Sequence, residues 1–484
     1  MVKFLRLALA LGIMTLLVVT GLILKTVLAQ GDPPSLPPDH PYAAFIDSHN
    51  AAIRAGATAE WRKLEGVAVD TVHHRVYFAA SYVDSGMADG QGDIQLVANS
   101  CGIVYAGDLN ADYDIAAVYP YVVGSLDGMC NPDNLFVDSQ GNLWIGEDSG
   151  VHANNFLWMW DGTELKRFAS MPAAAEVTGL RIQPDGTLFL NFQHPDAGSI
   201  APYNQPLIGV VTGFKAGDAF ESLPLPSGDD TRRLVLAAGE YTILGYVGNP
   251  ISATSTELLG SITNPNGESI LACPAPDGNM FLPITANEGD LYTNFECRPG
   301  TVSKMHLQRD DAGNWSVTEG EMVNFVEIGG TWNNCNASVT PWNTGLTSEE
   351  SPPDTAAIWG VWQAGAPLLD SYLGVKSNPF NVGYAVELIP QPSGTQVVKH
   401  YAMGRFSQEI ALVMPDSKTV YYGDDGDNRV MYKFVADNPG DLSAGTLYAA
   451  KISQDGETLN IEWIALGSGN DAAIGAAIAE LQPE

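Results

Sequence analysis

Short apolar runs separated by tight polar turns fill most of this chain, and one arrangement of them recurs. It appears as Asp70-Thr-Val-His-His-Arg-Val-Tyr-Phe-Ala and as Asp138-Ser-Gln-Gly-Asn-Leu-Trp-Ile-Gly. It returns as Pro184-Asp-Gly-Thr-Leu-Phe-Leu-Asn, Pro276-Asp-Gly-Asn-Met-Phe-Leu-Pro and Pro415-Asp-Ser-Lys-Thr-Val-Tyr-Tyr-Gly. Each reads as an Asp-led hairpin turn feeding a strand of β-branched and aromatic residues. Another apolar strand precedes most of these turns, as in Gly66-Val-Ala-Val and Asn134-Leu-Phe-Val. Strand–turn–strand units repeated around a common centre avoid open sheet edges, which predicts an all-β propeller of six blades with insertions. The uneven spacing of the units excludes a regular repeat array. Helical periodicity is confined to Ala43–Gly56 and to the Ala-rich tail from Asp471 to Leu481.

The two ends of the chain read differently. Lys3 and Arg6 precede an apolar run from Leu7 to Leu24, and Val27-Leu28-Ala29 has the small-residue form of a cleavage site. Residues 1–29 are thus expected to be a secretory signal peptide, or a signal anchor that tethers the protein to a membrane. Residues 30–42 form a Pro-rich spacer, and 43–484 a single propeller placed outside the cytoplasm. The 50 Gly and 30 Pro fit a turn-rich fold of this kind.

Charge narrows the partners. With 56 acidic against 23 basic residues the formal charge is −33, which excludes nucleic acid and anionic membranes as ligands. Five cysteines in an exported chain invite pairing. Cys101 with Cys130 and Cys273 with Cys297 make two local pairs, leaving Cys335 as either a metal-bound thiolate or a buried, inert side chain.

Carboxylates follow the recurring strands. Glu147 and Asp148 come after Leu143-Trp-Ile-Gly, and Asp424 and Asp425 after Val420-Tyr-Tyr-Gly. Glu288 and Glu296 flank Leu291-Tyr-Thr-Asn-Phe. Equivalent strand ends of a propeller gather at one mouth of its channel, where clustered carboxylates repel unless cations lie between them. The segment from Asn334-Cys335 through Thr340-Pro-Trp to Glu349-Glu350 adds a soft thiolate to paired hard donors, which points to a mixed metal site. The zinc spacings, P-loop, nucleophile elbow and dinucleotide fingerprint are all absent.

The run from Cys335 to Glu350 resembles the PhoX alkaline phosphatases, whose pattern is a Cys, then T-P-W-G-T, then a Glu pair. The likeness extends through Gly383-Tyr-Ala-Val-Glu-Leu-Ile-Pro, Gly404-Arg-Phe-Ser-Gln-Glu409, Tyr422-Gly-Asp424-Asp425, Tyr432-Lys-Phe-Val and Gly445-Thr-Leu-Tyr-Ala-Ala-Lys. Nearer the start, Glu65-Gly-Val-Ala-Val-Asp, Asn131-Pro-Asp133-Asn-Leu-Phe-Val-Asp, Glu176-Val-Thr-Gly-Leu and Asn191-Phe-Gln-His194-Pro are similar to later parts of that family. Residues 55–200 thus resemble the family's C-terminal half and 230–465 its N-terminal half. That exchanged order is what a circular permutation gives, with the join near 200–230.

The resemblance implies a phosphatase acting on small phosphate esters at a cluster of Fe3+ and Ca2+; the leader makes it a secreted one, and a monomer is expected because nothing in the sequence suggests an obligate partner. The resemblance places Cys335 on iron with Glu409 and one of Glu349 and Glu350. It gives Asp424 or Asp425, Glu65, Asp133 and Glu176 to the remaining shells, and Glu296 joins this set as a strand-end carboxylate. Lys63 stands where the family has a phosphate-contacting Arg, and Arg62 is adjacent. Gln408 replaces a His, and Asn336, Ala337 and Asn343 replace glycines, so metal binding is better preserved than turnover. Two other readings share the ring: a calcium-dependent lactonase or phosphodiesterase, which gives Cys335 no role, and a non-catalytic, calcium-stabilised binding propeller.

Overall fold

Four of the five Asp-led segments close hairpins through their own carboxylates. Asp70 Oδ1 accepts from the amides of Val72 and His73, and Asp138 Oδ1 from those of Gln140 and Asn142. Asp185 accepts from Thr187 N, and Asp416 from Lys418 N and Thr419 N. An Asp side chain that mimics a backbone turn explains why this residue leads each unit. The fifth segment corrects the sequence reading: Pro276–Thr285 is itself a strand, and its hairpin turns at Ala286-Asn287.

The computed structural model describes residues 32–481, so the leader and its cleavage site lie outside the described residues. Within them the fold is an all-β propeller of antiparallel blades. The first blade runs Leu64–Asp70, Arg75–Ala80, Ile103–Asp108, Ala117–Val123. The second is Pro132–Val137, Leu143–Glu147, Phe156–Trp160 and Leu165–Ser170, extended by Val235–Leu236. The third is Glu176–Ile182, Leu188–Gln193, Leu207–Thr212 and Glu240–Tyr246. The fourth is Pro276–Thr285, Glu288–Phe295, Thr301–Arg309 and Trp315–Met322. The fifth is Asn334–Val339, Gly345–Glu349, Ala385–Gln391 and Gly394–His400. The sixth is Gln408–Val413, Thr419–Asp424, Tyr432–Asn438 and Asp441–Asp455.

The first strand of each blade contacts that of the next, and the sixth returns to the first, so the inner strands line a closed channel. Alternation along each strand feeds two seams at once. Val76 and Phe78 pack toward the sixth blade, whereas Tyr77 and Ala79 pack toward the second. Every seam holds its own buried apolar cluster.

Both ends of the described chain meet between the sixth and first blades. Leu64 pairs with Asp424 near the channel, and Ala59–Trp61 pairs with Arg429–Val430. At the rim, Thr458–Asn470 leaves the sixth blade and pairs with Ala117–Val123 of the first, fusing the two into one sheet. The expected helices form at Ala43–Ile46, Ser48–Ala55 and Asp471–Glu480, and pack on this closure through Phe45, Ile46, Ile474 and Ile478. A helix that the sequence reading missed, Ala356–Leu373, is inserted between the second and third strands of the fifth blade. Cys101–Cys130 and Cys273–Cys297 are disulfides, and Cys335 is free and buried.

Candidate metal centre

Five inner strands begin the same way. Their second residues are Glu65, Asp133, Asp277, Cys335 and Glu409, one from each of the first, second, fourth, fifth and sixth blades. In each case the pairing register slips just after the strand's first residue, so these side chains sit on β-bulges. A bulge frees its residue from strict alternation and turns the side chain toward the channel axis. The third blade carries the same slip after Thr178, which places Gly179 at the equivalent position. Gly179 has φ +61, and a Cβ there would collide with the amides of Asn191 and Asn279. Its blade contributes instead through Glu176, three residues earlier.

A second tier comes from the residues just after the second strands: Asp148, Glu296, Glu350 and Asp425. Alternation decides between the paired acids, because the last strand residue faces the blade seam and the next faces the mouth. Glu147 accepts from Cys130 N, Phe156 N and Trp158 Nε1 at 2.8, 3.0 and 2.8 Å. Glu349 accepts from Trp332 N, Gly383 N and Tyr384 N, each at 3.0 Å, and from Lys399 Nζ at 3.1 Å. Asp424 accepts from Val430 N at 3.2 Å and lies 3.9 Å from Arg429 Nε. Glu349 and Asp424 are therefore inter-strand struts, and Glu350 and Asp425 are the members of their pairs that reach the ring. Glu288 lies at the opposite end of the fourth blade, where His306 Nε2 meets it at 3.1 Å.

The donor atoms run on from one blade to the next. Donor atoms of Asp277, Glu296 and Cys335 lie within 4.8 Å of one another, as do those of Cys335, Glu350 and Glu409. The same holds for Glu65, Asp133 and Glu409, and for Asp133, Asp148 and Glu176. Shared members link the four groups into one arc of eight carboxylates and a thiol. Burial, then repulsion from Asp148, raises Asp133 to about 7; burial, then Asp425 and Glu296, raises Glu350 to about 8. Burial and neighbouring carboxylates also push Glu65, Glu176, Asp277 and Glu409 well above the carboxylate range, and the Cys335 thiol upward. Bound cations reverse that balance, since they favour the deprotonated donors.

The residues present fit such cations. Asp277 Oδ1 and Asp425 Oδ1 are buried without a hydrogen-bond partner. Some of the other oxygens are held in place: Asn333 Nδ2 donates to Glu296 at 3.2 Å and to Glu350 at 2.8 Å, and Gln193 Nε2 donates to Glu296 at 3.2 Å. Asn134 Nδ2 donates to Asp133 at 2.8 Å. Such outer-shell amides fix the orientation of metal-ligating carboxylates.

Lys63 is a cation at the edge of this ring. Its Nζ lies 2.7 Å from Glu65 and 3.7 Å from Asp425, and those carboxylates, Glu65 foremost, hold its ammonium charged. A cavity of about 640 Å³ opens beside it, lined by His49, Arg62, Asp354, Asp425 and Arg429. Arg62 is engaged by Asp84 at 3.1 Å and by Asp427, with Tyr82 beneath it, so its guanidinium sits at the rim rather than in the ring. The first turn of Ala356–Leu373, capped by Thr355, borders the same cavity. Sequence reasoning missed Asp277, Asn333 and Gln193 and did not select Asp148. The signal for Asp277 was present: Pro276-Asp277 repeats Pro132-Asp133, and both start inner strands.

Fold and site together define a propeller with one mouth lined by side chains that could hold metal ions. The chain belongs to the family described as alkaline phosphatase PhoX, whose profile matches residues 42–196 and 298–483. It is thus a hydrolase of the alkaline phosphatase class. No curated protein matches it. Among solved structures, it is similar to Pseudomonas fluorescens PhoX in complex with vanadate, a transition-state analogue, at 21% identity. That match covers 46% of this chain and 54% of the other, with a TM-score of 0.34. A gluconolactonase from Xanthomonas campestris is similar at 10% identity over 82% of this chain and 96% of that one, TM-score 0.38. A luciferin-regenerating enzyme is similar at 9% identity over 82% and 94%, TM-score 0.38.

Proposed function

We propose that the protein hydrolyses phosphomonoesters outside the cytoplasm at a ring loaded with iron and calcium. The observation that carries this reading is the burial of Cys335 among Asp277, Glu296, Glu350 and Glu409. A thiolate beside carboxylates suits iron, so these five residues would hold Fe3+. The all-oxygen set of Glu65, Asp133, Asp148 and Glu176 would hold Ca2+, which takes six to eight hard donors. Bound there, the cations would offset phosphate charge and lower the pKa of water.

The chain's own residues do the rest. Lys63 sets an ammonium at the boundary between ring and cavity, where a phosphate oxygen can exchange for its contact with Asp425. A lysine offers a point charge and not the bidentate fork of an arginine, so it attracts the phosphate while orienting it less strictly. Arg62, tied to two carboxylates, draws anions to the entrance. The N-terminal turn at Thr355–Ile358 adds the positive end of a helix dipole to the same cavity. Gln408 Nε2 donates to Gly404 O at 2.7 Å, so it braces the turn before the sixth inner strand. A lactonase-type reading leaves the placement of Cys335 without a purpose.

Two disulfides suit an oxidising compartment and accord with export through residues 1–29. An exchanged order of the family's halves belongs to the same proposal. The join would fall within the third blade, whose third strand is Leu207–Thr212. A closed ring tolerates this, because all inner strands still reach one mouth.

The test is metal analysis of the purified mature protein alongside turnover of p-nitrophenyl phosphate, with Cys335→Ala as control. Iron and calcium in the wild type, with iron and turnover both lost in the variant, is the expected result. Calcium alone, with no turnover between pH 7 and 10, would overturn it.

A further inference from the structure

The channel that carries the metal ring at one end is a different environment at the other. Beyond the bulges, the inner strands present Val67, Leu135, Val339, Ile410 and Leu412 to a cavity of about 520 Å³, a size typical of small-molecule sites. It reaches the hairpin turns at Thr71, Pro184, Pro341 and Pro415, so it opens at the face opposite the ring. Among the described residues no carboxylate lines it.

Arg181 does. Its guanidinium lies over the Phe136 ring at 5.2 Å, and its Nε is buried without a hydrogen-bond partner. In a chain with 56 acidic and 23 basic residues, a guanidinium left without an acid is a departure that calls for a ligand. Burial alone lowers its pKa, to about 10, so it remains charged at neutral pH. A charged guanidinium with a donor left unpaired and no acid beside it is costly, and an anion entering the channel would offset its charge.

We propose that this cavity binds a single-chain amphiphilic carboxylate, with the headgroup on Arg181 and the hydrocarbon tail along Val67, Leu135, Val339 and Ile410. One guanidinium matches one carboxylate through its two-pronged fork. A dianionic phosphate would leave a charge uncompensated against apolar walls. The site is separate from the phosphate cavity, which opens at the other mouth.

The experiment is titration calorimetry of the full metal-loaded protein with dodecanoate and with dodecanol. Dodecanoate is expected to bind and dodecanol to bind at least about tenfold more weakly, the difference one charged hydrogen bond makes. R181M should weaken dodecanoate by a similar factor, and V339W, which fills the cavity from another strand, should abolish binding. Circular dichroism melts establish that the variants fold. Should R181M fail to fold, the comparison of acid with alcohol on the wild type still decides. Absence of dodecanoate binding, equal binding of the alcohol, or unchanged binding in V339W would overturn the proposal.

Discussion

Adjacent acids in this sequence have opposite fates, and one strand position separates them. Glu349 ends a strand and faces the seam, where Lys399 Nζ meets it at 3.1 Å and both side chains are almost wholly buried. Glu350 is one residue further on and joins Cys335 and Glu409. Glu349→Gln should therefore destabilise the fold by about 3–5 kcal/mol, because it strands the buried Lys399 ammonium. Glu350→Gln should leave the chelated protein as stable as the wild type, or more so, while removing metal and turnover. Denaturant melts with and without chelator, paired with metal analysis, check both. Equal metal loss with equal stability in the two variants would refute the alternation argument. From sequence alone the two acids were equivalent, since nothing in Ser348-Glu349-Glu350-Ser351 marks where the strand stops.

Among whole elements, legibility followed how local the determining physics was. The Asp-led turns were readable because each is closed by its own carboxylate. Pro276–Thr285 was misread because Pro-Asp-Gly is a turn signal wherever it occurs, and only the ring makes it an inner strand. The helix Ala356–Leu373 was missed because Gly360, Gly365 and Pro367 mimic a loop. Gly365 is instead required for close approach to the Trp332 ring, which lies tilted against Trp362 with 4.7 Å between ring centroids. The C-terminal helix was foreseen, but not what docks it. Asp471 accepts from His400 Nδ1 at 2.9 Å and from Ala402 N at 2.7 Å, while Glu387 meets His400 Nε2 at 3.2 Å. Burial opposes the charge on His400, yet the two carboxylates prevail and hold its pKa at about 9. Raised above the unfolded value, it contributes stability in full below about pH 6.5 and loses it as pH rises through 9, a swing of about 3 kcal/mol. Hydrogen exchange in Asp471–Glu480 should accelerate between pH 7 and 9.5 beyond the intrinsic rate. His400→Gln should remove that excess; its persistence would show that another group governs docking.

The whole molecule is organised around a charge problem that the net −33 announced without locating. Stacking blades around a channel brings carboxylates from every blade to one mouth, where Lys63 counters Glu65 and Arg298 eases Glu350. Stability must then depend on pH in opposite senses with and without cations. In the metal-free protein, Asp133 at about 7 and Glu350 at about 8 are raised above their unfolded values. The native state thus holds protons that the unfolded chain has released, and its stability falls as pH rises from about 6 to 8. The loaded protein needs the same groups deprotonated, so it loses metal, and stability, as pH falls through that window. Melting temperatures measured at pH 6 and pH 8, in EDTA and in excess calcium and iron, should therefore show a larger gap at pH 8. A chelated protein that gains stability from pH 6 to 8, or melts with the loaded one at pH 8, would mean that proton sharing and hydrogen bonds alone hold the ring.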